Sequence, residues 1–287
     1  MQSAGHGEKR NLSWHAKLQL DYERHDARTV ARHAHSGPLR ILQSLYPEGD
    51  GVCHNVLVHP PGGLVGGDTL EIALHAAPGT HGLVTTPGAT RFYRSEGPLA
   101  LQRTHLTLEG NARLEWLPLE TICYSGCHAE NHLTLNLAPD AQVMGWDVTA
   151  LGLPHANLPF EQGFVQQHLE LPGVWLERGR VDAQDRLLLN SPAALAGMRC
   201  WATLYLVSGK PLERAAKTLA LDTAREVISG SPLAAHAGAT SPNAQTIVVR
   251  AVAPQVEAVM TLLRQVRLAW RVAVWNMAAN TPRIWAM

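Results

Sequence analysis

Two thiols and an imidazole lie close together in Cys123-Tyr124-Ser125-Gly126-Cys127-His128. Thiolate and imidazole suit nickel or zinc. The cysteines are four apart in a strand-like stretch, however, with no second pair at zinc spacing, so structural thiols are the expectation. A stable metal store on Cys123, Cys127 and His128 is kept as an alternative. His33-Ala34-His35 would share a face if extended, but Arg28 and Arg32 nearby would repel a cation. The fifteen histidines otherwise scatter without a recognisable ligand grouping. No Gly-x-Ser-x-Gly elbow, His-Glu-x-x-His or other catalytic signature is present. Carboxylates stand beside large apolar residues in Glu115-Trp116, Trp146-Asp147 and Leu176-Glu177-Arg178. Acids so placed are either rim residues or buried and in need of partners, and a buried one is a functional candidate because its isolation is costly.

One further stretch, His59-Pro60-Pro61-Gly62-Gly63-Leu64-Val65-Gly66-Gly67-Asp68-Thr69-Leu70, packs paired prolines and glycines between two strand-like runs. Proline fixes φ and glycine opens the positive half of its range, so the segment reads as a shaped loop. A phosphate-cradling loop would need Lys-Ser/Thr and a helix next. Asp68 and an alternating strand follow instead, which excludes a nucleotide site. Pro60, Pro61, Gly62, Gly63, Gly66 and Gly67 are read as a rigid turn, with Asp68 bracing it through backbone N–H groups, and the alternative is a loop whose backbone faces a partner.

The elements that must position these groups are mostly strands. Short runs with alternating or continuous apolar character follow one another from Trp14. They include Leu39–Leu45, Val52–Val58, Leu70–Ala76, Leu83–Thr86, Leu99–Leu108, Ala112–Leu117, Leu133–Leu137, Val143–Val148, Val165–Leu171, Val174–Val181, Arg186–Leu189, Cys200–Val207 and Thr246–Val252, each bounded by Gly, Pro, Asn or Asp. The expected fold is mainly β: a large two-sheet β-sandwich or β-helix-like structure with two α-helices in the C-terminal half. No strict repeat is visible, which disfavours a propeller or a regular solenoid. A first helix is expected from about Pro211 to Ile228. A second runs from about Pro254 to Met277, striped by Val256, Val259, Leu263, Val266, Trp270, Ala273 and Met277. Arg264, Arg267 and Arg271 border that stripe, and with Trp270 they form a candidate partner-binding edge. Residues 1–287 read as a single domain, with 1–12 a loose terminus and 229–244 a mobile loop.

Lys+Arg and Asp+Glu are both 24, so no net field favours nucleic acid or an anionic membrane. The charged fraction of 17% against 46% hydrophobic suits a chain whose surface is partly covered by a partner. The first ten residues have no apolar leader and no later run approaches a membrane span, so a cytoplasmic protein is expected.

Several blocks in the same order resemble the urease accessory protein D family, called H in some organisms. They are Gly37-Pro38-Leu39-Arg40, the His59–Leu70 loop, Thr85-Thr86-Pro87-Gly88-Ala89-Thr90-Arg91-Phe92-Tyr93-Arg94-Ser95, Leu114–Ile122 and Pro282-Arg283-Ile284-Trp285. Many members carry Leu-Gly-Arg where this chain has Leu151-Gly152-Leu153. The resemblance implies a non-enzymatic maturation factor. It would bind apo-urease and accessory protein F, and through F the GTPase G, and assist nickel delivery without holding a stable cofactor. It also implies a large β-structure with an internal polar tunnel, for which Thr85, Thr86, Asp147 and Glu177 are the matching lining residues. Weak oxygen ligands suit transit of nickel rather than storage. The competing classes are a β-sandwich hydrolase using buried carboxylates and His59, and the metal store named above.

Overall fold

The computed structural model describes residues 13–286, and the terminal stretch 1–12 lies outside them. Two burial patterns distinguish the strands, which are numbered here in chain order. In β1 (His15–His25) and β5 (Thr69–Ala76) buried and accessible residues alternate, as in a sheet with one face on the core and one facing outward. The strands β6 (His81–Thr85) and β9 (Arg113–Leu117) are buried on almost every residue, which requires cover on both faces.

The first kind builds sheet one, in the order β14 (Trp175–Asp182), β13 (Gly163–Leu171), β11 (Cys127–Leu137), β8 (Ala100–Leu108), β5, β1, β2 (Arg28–Ser36). The second kind dominates sheet two, in the order β16 (Ala237–Thr240), β17 (Thr246–Ala253), β15 (Cys200–Ser208), β12 (Gln142–Leu151), β9, β6, β4 (Cys53–Val58), β3 (Arg40–Ile41). From β4 to β13 the chain alternates between the sheets, and the strands it adds to each pair in parallel. This is a solenoid-like coil, contrary to the expectation from the missing repeat. Ile72, Thr104 and Leu133 stack in register at unequal sequence intervals, so successive coils differ in length and leave no fixed period. A narrow third side joins the coils, where β7 (Thr90–Phe92) and β10 (Thr121–Cys123) carry a buried ladder of Leu64, Phe92, Cys123 and Leu151.

Among the described residues there are three α-helices. α1 (Arg186–Asn190) occupies a run expected to be a strand. Asp185 caps it, accepting from the Leu188 N–H at 2.9 Å, and the leucine run alone did not reveal that cap. α2 (Arg214–Ser229) and α3 (Val256–Ala273) pack on each other and on the outer face of sheet two. The stretch 229–244, expected to be a loop, contains β16, which pairs antiparallel with β17.

Two cores result. One lies between the sheets and includes Leu18, Leu74, Leu106, Leu114, Leu135, Val143 and Val207. The other lies between sheet two and the helices, and includes Leu83, Leu117, Trp146, Ile247, Leu263, Val266 and Trp270. Trp270 is completely buried, and its indole N–H donates to the Ala220 carbonyl at 2.8 Å, locking α3 to α2.

Candidate functional site: a polar seam between the sheets

Because side chains alternate along a strand, each position's parity decides which core it enters. In β12, Val143 faces sheet one while Met144, Trp146 and Val148 face the helices, so Asp147 points between the sheets. Asp147, Thr203 and Arg250 occupy paired positions on β12, β15 and β17. Gln102, Asn131 and Gln167 occupy paired positions on β8, β11 and β13 of the opposite sheet. The two rows meet in a seam of polar groups through an otherwise apolar interior.

Hydrogen bonds join the seam. Gln102 Nε2 donates to Asn131 Oδ1 at 3.3 Å, and Asn131 Nδ2 donates to Asp147 Oδ2 at 2.6 Å. Thr149 Oγ1 donates to Asp147 Oδ1 at 3.2 Å, and Gln167 also bonds that carboxyl. Trp201 Nε1 donates to Gln167 Oε1 at 3.3 Å. At the far side Thr203 Oγ1 donates to Glu177 Oε1 at 3.1 Å, and Arg250 binds both Glu177 oxygens at 3.2 and 2.7 Å. Burial, reinforced by the charge of Glu177, pushes the Asp147 carboxyl up to about 6 against the hydrogen bonds from Thr149, Asn131 and Gln167. Protein surrounds Asp147, and the residue keeps some accessible surface. A carboxyl in this range can exchange its proton for a cation near neutral pH, and amide and carboxylate oxygens hold such a cation weakly.

At the Gln102 end the seam borders a cavity of about 160 Å³ whose lining includes His59, Gly62, Thr86, Arg91, Gln102 and Trp116. The glycine loop forms part of its wall. Asp68 braces that loop by accepting the Trp14 N–H at 2.8 Å and the Val65 N–H at 3.0 Å. Gly63 and Gly66 are required by close approach: a Cβ would stand 2.4 Å from the Tyr93 ring at the former and 2.1 Å from Ser95 Oγ at the latter. The prolines Pro60 and Pro61 lead into this turn, where Gly62 and Gly67 adopt positive φ.

Of the four residues matched to a tunnel lining, the structure brings Asp147 and Glu177 to the seam and Thr86 to the adjoining cavity. Thr85 is elsewhere. It follows Leu83 onto the helix side of sheet two, where its hydroxyl donates to the Leu117 carbonyl and accepts from the Trp285 indole at 2.9 Å. The three residues of the alternative metal store also separate. Cys123 and Cys127 are buried, and the Cys123 thiol is raised well above its ordinary range, first by its hydrogen bond with Cys127 and then by burial. His128, the next residue on β11, lies on the opposite face, stacked on Phe164 with its Nδ1 at 2.9 Å from the Gly97 carbonyl oxygen. The set therefore does not converge on one ion. His33 and His35 stack on each other on exposed β2. Leu153 is half-buried and leads into a short 3-10 turn at Pro154–Ala156.

The basic edge of α3 is corrected more sharply. Arg267, Trp270 and Arg271 are fully buried and cannot reach a partner, and the half-buried Arg264 lies over the Trp285 ring at 4.9 Å. The arginines enclose Glu115, which parity turns toward the helices. Arg267 Nε donates to Glu115 Oε2 at 2.7 Å, while Arg271 bridges Glu115 and Glu48. His81 Nε2 lies 3.2 Å from Glu115 and His54 Nε2 2.8 Å from Glu48. Burial alone would raise the Glu115 carboxyl, but His81 and both guanidiniums outweigh it and hold the group at about 2. Burial keeps His81 below its ordinary range, so near neutral pH it donates as a neutral imidazole and the arginines supply the charge. The arginines sit one step off an apolar stripe, and only the facing acid on β9, distant in sequence, reveals that they turn inward.

The model of the family described as UreD urease accessory protein matches residues 15–286. A protein named urease accessory protein UreD from Polaromonas sp. strain JS666 is 64% identical over 276 residues, covering 96% of this chain and all of its own. One of the same name from Variovorax paradoxus is 63% identical over 275 residues, with the same coverage of both chains. Another from Methylibium petroleiphilum is 45% identical over 294 residues, covering 96% of this chain and 99% of its own. With a match along nearly its whole length and relatives of this identity, the chain belongs to the UreD family of urease accessory proteins.

Proposed function

We propose that the protein is a non-enzymatic maturation factor of urease, a scaffold that binds apo-urease and accessory protein F, reaches the GTPase G through F, and passes nickel along its interior seam. Family membership supports the urease maturation role. The observation that carries the finer reading is the hydrogen-bonded row Gln102–Asn131–Asp147, extended by Gln167 and Glu177, between the sheets. A store would gather strong ligands around one point. This row spreads oxygen donors along a line, and a carboxyl ionising near 6 gives a cation a step it can both take and leave. Nickel is cargo in this reading and no cofactor stays bound. The cytoplasm is the compartment in which such an assembly would work, and no helix among the described residues is long and apolar enough to cross a membrane.

The test is reconstituted urease activation with Asp147→Ala and Glu177→Ala, singly and together. The double variant should still capture urease and accessory protein F in a pull-down but deliver far less nickel and activity. Unimpaired activation would refute transit through the seam. Failure of the wild-type chain to capture either protein would refute the scaffold role.

A further inference from the structure

The outer face of sheet one carries a cluster that the seam does not use. His132 on β11 and His168 on β13 are directly paired in the parallel register, and Glu170 follows His168 on the same face of β13. The two imidazole centroids stand 3.9 Å apart with the rings inclined at 69°, and His168 Nε2 lies 2.9 Å from Glu170 Oε2. One ligand atom from each of the three lies within 4.8 Å of the others. His132 Nε2 is buried without a hydrogen-bond partner, which is costly for a ring nitrogen unless something else occupies it.

The geometry points to a divalent-cation site formed by His132, His168 and Glu170, suited to a first-row metal of borderline softness such as Ni²⁺ or Zn²⁺. Two imidazoles and one carboxylate are a donor set for these ions, and three protein ligands leave room for water. Ligands around a shared ion at about 2.1 Å stand roughly 3.4 Å apart, so side-chain adjustments of about 1 Å close the cluster. Glu130 on β11 adds favourable charge, while Arg103 and His105 on β8 oppose it, and Arg178 on β14 pairs with His168. These side chains project from the face of sheet one opposite the seam, so the site stands apart from the proposed nickel path.

Calorimetric titration of the chelator-treated full-length protein with Zn²⁺, and separately Ni²⁺, tests the site. Wild-type protein should show a one-to-one event that His132→Ala and His168→Ala each weaken at least about 100-fold, beyond the usual cost of losing an outer hydrogen bond. Glu170→Gln should weaken it less, and Asp147→Asn should leave it intact. Bound Co²⁺ should show nitrogen ligation in wild-type protein and a changed ligand-field spectrum in His132→Gln. That milder variant decides the matter if an alanine variant fails to fold. Unchanged stoichiometry and affinity in folded His132 and His168 variants would overturn the assignment. Because the readout is metal bound per chain, its failure is distinguishable from failure of urease activation.

Discussion

Replacing Asp147 with asparagine should make the protein more stable and less useful. The carboxyl ionises near 6 when folded, against an ordinary value of 3.8, chiefly because burial disfavours its charge. The folded value is the higher, so the stability contributed by the protonated group is fully present below pH 3.8 and is lost as pH rises through 6. Above both values the ionised carboxylate costs the fold about 3 kcal/mol. Asparagine has nearly the same shape, stays neutral, and keeps an oxygen to accept from Asn131 Nδ2, now at 2.6 Å. Asp147→Asn should therefore gain about 3 kcal/mol at pH 8, and almost nothing near pH 4. In a chain of this size that corresponds to roughly a 6 °C rise in Tm at pH 8. Thermal melts of both proteins from pH 4 to 8 measure it, with activation assayed in parallel. A gain of equal size at both ends of the range, or a loss at pH 8, would refute the account of a strained buried charge. A stabilised variant that also fails in nickel delivery would identify the strain as part of the function.

Other perturbations separate the structural devices. Glu115→Ala leaves the fully buried Arg267 guanidinium without its carboxylate and takes from Arg271 one of its two, and should cost about 3–5 kcal/mol in urea unfolding. The Glu115 carboxyl is lower folded than unfolded, so its contribution is present above 4.5 and lost as pH falls toward 2; wild-type melts should drop across that window and those of Glu115→Ala should drop less. Gly66→Ala places a methyl 2.1 Å from Ser95 Oγ and 2.8 Å from the Pro98 carbonyl oxygen, and should lose about 1–3 kcal/mol. Adding Ser95→Ala should not fully restore the melt, because the carbonyl remains. Trp270→Ala removes a fully buried indole and its hydrogen bond to the Ala220 carbonyl, for a loss of about 3–5 kcal/mol by denaturant titration.

Strands and both long helices were legible because their signals are local. The alternation in Leu70–Ala76 and the stripe from Val256 to Ala273 follow from burial on one face, although the helix stops short of the expected Met277. Parallel pairing was not legible, since it depends on which distant strand lies alongside, and unequal coils conceal the repeat. The same reason hid the site partners. Trp146-Asp147 marks an acid beside an apolar residue, but its neighbours Asn131 and Gln167 are set by register between strands. His132 and His168 escaped notice for that reason too, although His168-Leu169-Glu170 is a readable same-face pair. The arginines of α3 were misplaced because a helix pattern cannot tell an exposed border from one that meets a buried acid.

The Glu115 cluster also bears on how the chain is made. Its two arginine partners lie 152 and 156 residues downstream, on the helix that covers sheet two. At about 5–20 residues per second, a ribosome needs roughly 8–30 s after Glu115 before both arginines exist. During that interval the coils through β12 can form, but one of their central carboxylates has no counter-charge and the face that α3 will cover is bare. Synthesis thus presents a sticky, half-finished solenoid for many seconds. Closure of that face awaits a helix translated about 150 residues after the carboxylate it neutralises, so the order of synthesis and the order of packing are uncoupled here.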